Sequence, residues 1–260
     1  MKLGRGRLKL MLVAERHQKI IELVNERKSV RVSELSNIFS VTEETIRRDL
    51  EKLEKENKLQ RSHGGAISIT TTNHMEVPYF EREVINVKEK QEIALKAVNE
   101  VEEGDKIILD ASSTAWYMAK TLPNIPITVV TNSIKVAMEL SNKQQITVIS
   151  TGGTLHSKSL SFVGPLAESS LEKYHMNKAF ISCKAFHLEY GISESNEPQA
   201  RMKKKMIEGA EEVYIMIDHS KIGKRAFAHI HTIDRIDHII TDGHPNTKEL
   251  EDSSLHLIKV

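Results

Sequence analysis

Apolar residues recur at helical spacing through Ile20, Ile21, Leu23 and Val24, which predicts a helix over 14–26. The β-branched stretch 29–32 is too short to continue it. Ser33 is placed to N-cap a second, short helix carrying Leu35, Ile38 and Phe39. Val41-Thr42 interrupts that helix. Thr42 is placed to cap a third, whose acidic start at Glu43-Glu44 reads as a capping box. The third helix is predicted over 43–56, with Ile46, Leu50 and Leu53 facing inward. Leu59 and Ala66-Ile67 then predict two short strands turned by Gly64-Gly65.

Beyond this the pattern changes. A polar, Thr-rich stretch predicts a linker over 69–78, and 79–86 carries mixed charge. A helix is predicted over 88–101, with Ile93, Ala94, Ala97, Val98 and Val101 on one face. Short β-branched runs follow at 106–109, 127–130, 146–149, 179–181, 213–217 and 238–240. Helical stretches at 115–121, 134–142, 166–173 and 198–210 lie between several of them. Strands apolar on both faces and alternating with helices predict a mainly parallel α/β sheet. The expected organisation is a winged helix-turn-helix over 13–68, with its recognition unit at about 30–49, the linker, and an α/β domain over 79–260.

Charge sharpens the division. Residues 1–72 hold 15 Lys/Arg against 10 Asp/Glu, a net +5, whereas the remainder nets −4. The same segment has no proline and one aromatic, Phe39. A basic module suits a polyanion. The 260 residues contain no run of about 18 apolar positions, so no transmembrane helix is expected. The N-terminus lacks the features of a secretory signal. A single cysteine, Cys183, excludes an internal disulfide and a thiolate metal site; together these points favour the reducing cytoplasm. Residues 1–10 have no apolar period, so translation is expected to start at Met11, with a basic arm contacting phosphates as the competing reading.

Two chemistries compete for attention. In the first module, Arg47-Arg48 follow the small polar start of the third helix, where a recognition helix reaches bases and phosphates. Arg61 and His63 fall on the wing beside the backbone. Asp49, on the same helix, is expected to orient an arginine, because phosphates repel it. In the second module nearly every predicted strand ends in hydroxyl, amide or glycine residues. These are 110–114, Thr131-Asn132-Ser133, Thr151-Gly152-Gly153-Thr154, Ser182-Cys183-Lys184 and 218–221. Ligands of open parallel sheets bind beyond the carboxyl ends of the strands. Hydroxyls, backbone N–H groups and a helix N-terminus suit a phosphate, with Lys221 compensating its charge. The expected effector site is Asp110, Ser112, Ser113, Thr114, Asn132, Gly152, Gly153 and Lys221. Taken singly, each of these reads as a helix cap or a turn. No cofactor and no metal-ligand motif is expected; His229 and His231 share a strand face but are too sparse for a metal. An isomerase-like enzyme with a DNA-binding appendage is the alternative. Its base would be Asp110, Glu189, Glu194 or Glu197, which qualify by type only. A ligand-free DNA binder is a third reading.

The motif Val41-Thr42-x-x-Thr45-Ile46-Arg47-Arg48-Asp49-Leu50, followed by Leu59-x-Arg61-x-His63-Gly64-Gly65-Ala66, resembles the DNA-binding domain of the DeoR family of bacterial sugar-metabolism regulators. Further along, Leu109-Asp110-Ala111-Ser112-Ser113-Thr114, Val130-Thr131-Asn132-Ser133, Gly152-Gly153-Thr154-Leu155, Val163-Gly164 and Ile217-Asp218-x-Ser220-Lys221 resemble that family's effector domain. The resemblance implies a sensor fold similar to ribose-phosphate isomerase and coenzyme A transferases, and a homo-oligomer, dimer or tetramer. It implies a non-enzymatic regulator, by precedent a repressor, that binds double-stranded operator DNA and responds to a phosphorylated sugar. Operator contacts are implied for Thr42, Thr45, Arg47, Arg48, Arg61 and His63, with Ser33 beside them. The family has a glycine where Ser112 stands, so this loop forgoes an easy positive φ. The stretch 110–123 is similar to regulators of L-fucose and L-rhamnose operons and points to L-rhamnulose or L-fuculose 1-phosphate. Trp116 and Tyr117 either pack on the sugar methyl or fill the core.

Overall fold

A computed structural model of the chain describes residues 13–27, 29–56, 58–62, 64–67, 76–244, 247, 250 and 255–260. Met1, Met11, His63 and most of the expected linker lie outside the described residues. The chain divides into two compact units between residues 73 and 74.

The first unit runs α1 (Val13–Arg27), β1 (Ser29–Arg31), α2 (Val32–Phe39), α3 (Glu43–Lys55), β2 (Gln60–Ser62) and β3 (Gly65–Ile67). Its strands form an antiparallel sheet in the order β1-β3-β2. Ile20, Val24, Leu35, Ile46, Leu50, Leu53 and Leu59 fill the core, so the apolar spacing of each helix is its buried stripe. Gly65 faces Arg31 across the β1–β3 ladder, and a Cβ there would lie 2.0 Å from the Val30 carbonyl oxygen. The strand at 29–31, expected only as a break after α1, gives the wing a third member.

Two expectations about helix starts are corrected. Ser33 does not cap α2. The cap is Arg31, with no side-chain hydrogen bond. The Val32 N–H instead donates to the Gly64 carbonyl at 2.8 Å, so the wing satisfies the helix start. Thr42 does cap α3, its Oγ1 accepting from the Thr45 N–H at 3.3 Å. The capping box is incomplete, because the residue three positions on is Thr45 rather than an acid. Its hydroxyl lies 2.9 Å from that of Thr42.

Asp49 ties α3 to α1. It accepts from Arg16 Nε at 2.6 Å and Nη2 at 3.1 Å, and lies 2.9 Å from His17 Nε2. All three residues are buried. The arginine that Asp49 orients is therefore Arg16, not a neighbour on its own helix. Burial alone raises the Asp49 pKa, but the hydrogen bonds from Arg16 and His17 outweigh it and hold the carboxyl below its ordinary value.

The second unit opens with α4 (Tyr79–Glu83) and α5 (Val87–Val98). It continues β4 (Lys106–Leu109), α6 (Ser113–Thr121), β5 (Ile127–Thr131), α7 (Ile134–Leu140) and β6 (Ile146–Ser150). Next come the hairpin β7 (Thr154–His156) and β8 (Ser161–Val163), then α8 (Pro165–Leu171) and β9 (Met176–Ile181). The rest is β10 (Ala185–His187), β11 (Gly191–Glu194), α9 (Glu197–Glu208), β12 (Ala210–Met216), β13 (Ala228–His231), β14 (His238–Thr241) and β15 (His256–Lys259).

The main sheet has the order β15-β14-β12-β9-β4-β5-β6, every pair parallel. Alternation along the strands sorts their side chains. Ile107, Leu109 and Val129 pack with α5, α6 and α7 on one face, and Ile108, Val130 and Ala179 pack with α8 and α9 on the other. A sheet covered on both sides explains why its strands read as continuous apolar runs. The chain winds outward from β4 to β6, then crosses back to place β9 on the other side of β4. Strand order therefore reverses between β4 and β9, and the crevice of such a sheet opens there, beyond the carboxyl ends. A small antiparallel sheet, β10-β11-β13, lies outside the main one. As a sheet it was not foreseen, although the strand face expected for His229 and His231 falls in β13; β7, β8 and β15 were not foreseen.

Replacing Asp49 with alanine leaves the Arg16 guanidinium buried without its anion. It is expected to cost the first unit about 3 kcal/mol in chemical unfolding. Because the Asp49 pKa is depressed, its contribution is complete above the unfolded-state value of about 3.9 and fades as the pH falls below it. Unfolding of wild type and variant should therefore converge in acid.

Candidate functional site

The first unit presents α3 as an exposed face. Ser40 ends α2 in the left-handed region at φ 51°, its N–H donating to the Ser36 carbonyl. The Ser36 hydroxyl donates to the Val41 carbonyl at 2.6 Å, which fixes the turn into α3. Arg47 and Arg48 point away from the core, each held by the acid one turn earlier: Arg47 to Glu43 at 3.0 Å and Arg48 to Glu44 at 3.3 Å. Exposed pairs of this kind contribute little, so a phosphate can take either arginine over. Thr42 is exposed and Thr45 half-buried on the same turn. Arg61 is exposed on β2, its own amide anchored by Glu54 at 2.8 Å. Ser33 is exposed inside the first turn of α2.

The second unit has a cavity of about 110 Å³ at the β4/β9 reversal. It is lined from the loops after β4 (111–114), after β9 (182–184) and after β12 (Lys221), and from α4, α5, β11 and α9. Ser112 caps α6 at φ −86°, its hydroxyl accepting from the Ala115 N–H at 3.0 Å. The loop thus needs no glycine. The N–H groups of Ser113 and Thr114 begin the nine-residue helix and donate to no protein group among the described residues.

Charge on the cavity wall is one-sided. Arg82, Lys90, Lys184, Lys203 and Lys221 line it against only Glu76 and Glu194. Lys90 is buried, and its Nζ donates to the Arg82 and Ile85 carbonyls at 2.6 Å each. Burial, then the charge of Lys221, push its pKa down to about 8. The same two causes lower Lys184. Among the described residues, the side chains of Lys184 and Lys221 have no ion-pair or hydrogen-bond partner. Asp218, beside Lys221, is raised by burial but held low overall by Lys221, Ser220 and Asn86.

Beneath this wall lies a buried ion cluster. Lys203 Nζ donates to Glu194 Oε2 at 2.6 Å and to the Ser182 carbonyl at 2.7 Å, and lies 3.2 Å from Asp110 Oδ2. Asp110 also accepts from the N–H groups of Ser112 and Ser182, at 3.2 Å each. Burial opposes the Lys203 charge, but Glu194 and Asp110 outweigh it and hold the ammonium above its ordinary range. Glu194 is opposed by burial and held low by Lys203 and by its bond from Ser195.

Of the expected effector residues, Ser112, Ser113, Thr114 and Lys221 line the cavity, and Asp110 lies under it. Asn132, Gly152 and Gly153 do not line it. The Asn132 amide donates to the Phe162 carbonyl at 3.0 Å and so anchors β8. Gly152 and Gly153 turn at φ 62° and 111°, and a Cβ on Gly153 would lie 2.8 Å from the Val163 carbonyl oxygen. Trp116 and Tyr117 also stand off the cavity; their rings meet at 4.9 Å. Arg82, Lys90, Lys203 and Gln199 were missed, since they sit on segments without strand-end motifs or in mixed-charge runs; Lys184 stood in the strand-end run 182–184 but was not among the expected site residues.

Of the carboxylates that qualified as an isomerase base, only Glu194 reaches the wall, and it is committed to Lys203. Burial pushes the Cys183 thiol up to about 12, which leaves it protonated at neutral pH. Among the described residues, no three His, Cys, Asp or Glu side chains are grouped to hold a metal, and no helix is long and apolar enough to cross a membrane.

Residues 16–72 match the DeoR-like helix-turn-helix domain and residues 85–243 the DeoR C terminal sensor domain. The chain is 59% identical over 253 residues to the HTH-type transcriptional regulator YulB of Bacillus subtilis, covering 96% of this chain and 98% of that protein. It is 40% identical over 227 residues to the L-fucose operon activator of Haemophilus influenzae, covering 87% of this chain and 91% of that protein. Ribose 5-phosphate isomerase A of Methanocaldococcus jannaschii is similar in fold alone, with a TM-score of 0.40 and 19% identity over 53% of this chain and 55% of that one.

Lys203→Ala leaves Asp110 and Glu194 buried without their shared cation. It is expected to lower the unfolding free energy of the second unit by about 3 kcal/mol or more. Lys221→Ala, on the rim, should change it by less than about 0.5 kcal/mol. Thermal or urea unfolding of both variants checks the contrast.

Proposed function

The chain belongs to the DeoR family of DNA-binding transcriptional regulators, and we propose that it represses a sugar-catabolic operon until a phosphorylated sugar fills the cavity of its second unit. One observation carries the sensor half of this reading. At the reversal point of the sheet, five cations and the free amides of a helix N-terminus face a cavity with two carboxylates. That excess of positive charge and donors calls for an anion. The phosphate takes the α6 amides, the Ser113 and Thr114 hydroxyls, Lys221, Lys184 and Arg82.

For the sugar we propose a 6-deoxy-ketose 1-phosphate, L-fuculose or L-rhamnulose 1-phosphate. The loop 110–123 and the likeness to an L-fucose operon activator support it. The operator contacts proposed are Thr42, Thr45, Arg47 and Arg48 on α3, Ser33 at the start of α2, and Arg61 and His63 on the wing. One helix-turn-helix reads one half-site, so the working form is a homo-oligomer on repeated half-sites in the cytoplasm. The ligand acts by binding the DNA-competent and DNA-incompetent states with different affinity.

Fluorescence anisotropy on the DNA upstream of the protein's own gene, with and without a panel of ketose phosphates, tests the reading. One ketose phosphate should release the DNA. Tightening instead would reverse the sign to activation, and no response to any of them would sink the sensor assignment. Arg48→Ala should weaken operator binding and lower its salt slope by about one; an unchanged slope removes that residue from the contacts. Lys221→Ala should keep DNA affinity and lose the ligand response. Ligand affinity should also fall as the pH rises through about 8, because Lys90 loses its positive charge there. Titrating the ligand at pH 7 and pH 9 checks that sign.

A further inference from the structure

The two ends of the cavity offer opposite hydrogen-bonding capacity. At the rim, the α6 amides, Lys184 and Lys221 have donors to spare. At the floor, the Lys203 ammonium donates to Glu194 Oε2 and the Ser182 carbonyl and pairs with Asp110 Oδ2 at 3.2 Å. Its charge is met by two carboxylates of the protein itself.

The acceptors beside it are less fully used. Glu194 Oε1 takes both the N–H and the hydroxyl of Ser195, at 2.9 and 3.0 Å. Its Oε2 takes only Lys203, which leaves one of the roughly four lone-pair positions of the carboxylate open on the cavity wall. Gln199 donates to the Ser159 and Ser161 hydroxyls at 2.7 Å, which leaves its carbonyl oxygen as the remaining polar atom of a side chain that lines the cavity. Within this cluster Asp110 and Glu194 outnumber Lys203 by one charge, and Arg82 and Lys184 act on Glu194 from the wall. Next to the Glu194 carboxylate a hydroxyl is accepted, whereas a second anion meets a like charge.

We propose that this floor makes the cavity selective for ketose monophosphates whose far end carries hydroxyls, with Glu194 as the specificity-determining residue that excludes a second phosphate or carboxylate. The inference rests on the sugar-phosphate reading of the cavity. It adds an orientation, phosphate at the rim and sugar chain toward β11 and α9, and a class of ligand that is refused.

The test is calorimetric titration of the full chain with fructose 1-phosphate and with fructose 1,6-bisphosphate, which differ only at the far end. The monophosphate should bind at least about tenfold more tightly. Glu194→Gln, which removes the charge and keeps the volume, should shrink that gap to about threefold or less. A wild-type preference for the bisphosphate, or none, overturns the floor inference and leaves the sugar-phosphate reading standing. A gap that Glu194→Gln does not change assigns the refusal to size and overturns the role of Glu194. If that variant fails to fold, fructose 1-phosphate acetylated at the 6-hydroxyl, bulky but neutral, makes the same distinction on the wild type. It should bind more tightly than the bisphosphate, and equal weakness overturns the proposal. If wild type binds neither fructose compound, nor L-fuculose nor L-rhamnulose 1-phosphate, the sugar-phosphate reading and the floor inference fall together.

Discussion

Lys203 holds the reversal point of the sheet together. Its ammonium donates to the end of β9 through Ser182 and to the end of β11 through Glu194, and it pairs with Asp110 at the end of β4. Asp110 in turn accepts from the backbone of the loops after β4 and after β9. Two parallel strands can diverge at such a point only if something polar spans the gap, because the loop amides there have no ladder partner. A buried cation between two carboxylates does so at a desolvation cost that only a complete set of bonds offsets. The α6 N-terminus and the residues of 182–184 take their places from this cluster, and the cavity is the space left above it.

The sheet was legible because its strands are covered on both faces. The run Lys106–Leu109 and the start of β5 at Ile127 stand as expected. Strand β9 was read three residues short, since Asn177 and Lys178 look like loop. Both are strand residues with bonds of their own: the Asn177 side chain accepts from the Lys106 N–H at 3.0 Å, and Lys178 pairs with Asp105 at 2.9 Å. The strands of the small sheet are only three or four residues long, too short for any period to show.

The site was half legible for a related reason. Hydroxyls after strands mark a loop, and Ser112, Ser113, Thr114 and Ser182 do line the cavity. Asn132 and the glycine pair carry the same signature but brace the β7–β8 hairpin. What distinguishes the two uses is the strand order, which local sequence does not contain. Lys203 was hidden in the run 203–205, which reads as a solvated helix face. Yet it stands four residues after Gln199 and three before Met206, on the stripe of α9 that is buried. A lysine on an apolar stripe was the available signal. In the first unit the opposite happened. Ser33 has the chemistry of a cap, but Gly64, distant in sequence, reached the helix start first.

Two sets of cavity-lining groups are built from different pieces of chain. The α6 loop, Lys184 and Lys221 make one set, whereas β11 and the first two turns of α9 supply Glu194, Ser195 and Gln199. On the reading proposed above, the groups that hold the phosphate and those that choose the sugar share no residue. A change of diet can therefore be met by rewriting a ten-residue stretch, 194–203, while the grip common to every candidate sugar stays intact. The constraint on that rewriting is Lys203 itself, since any new floor must still supply its anions.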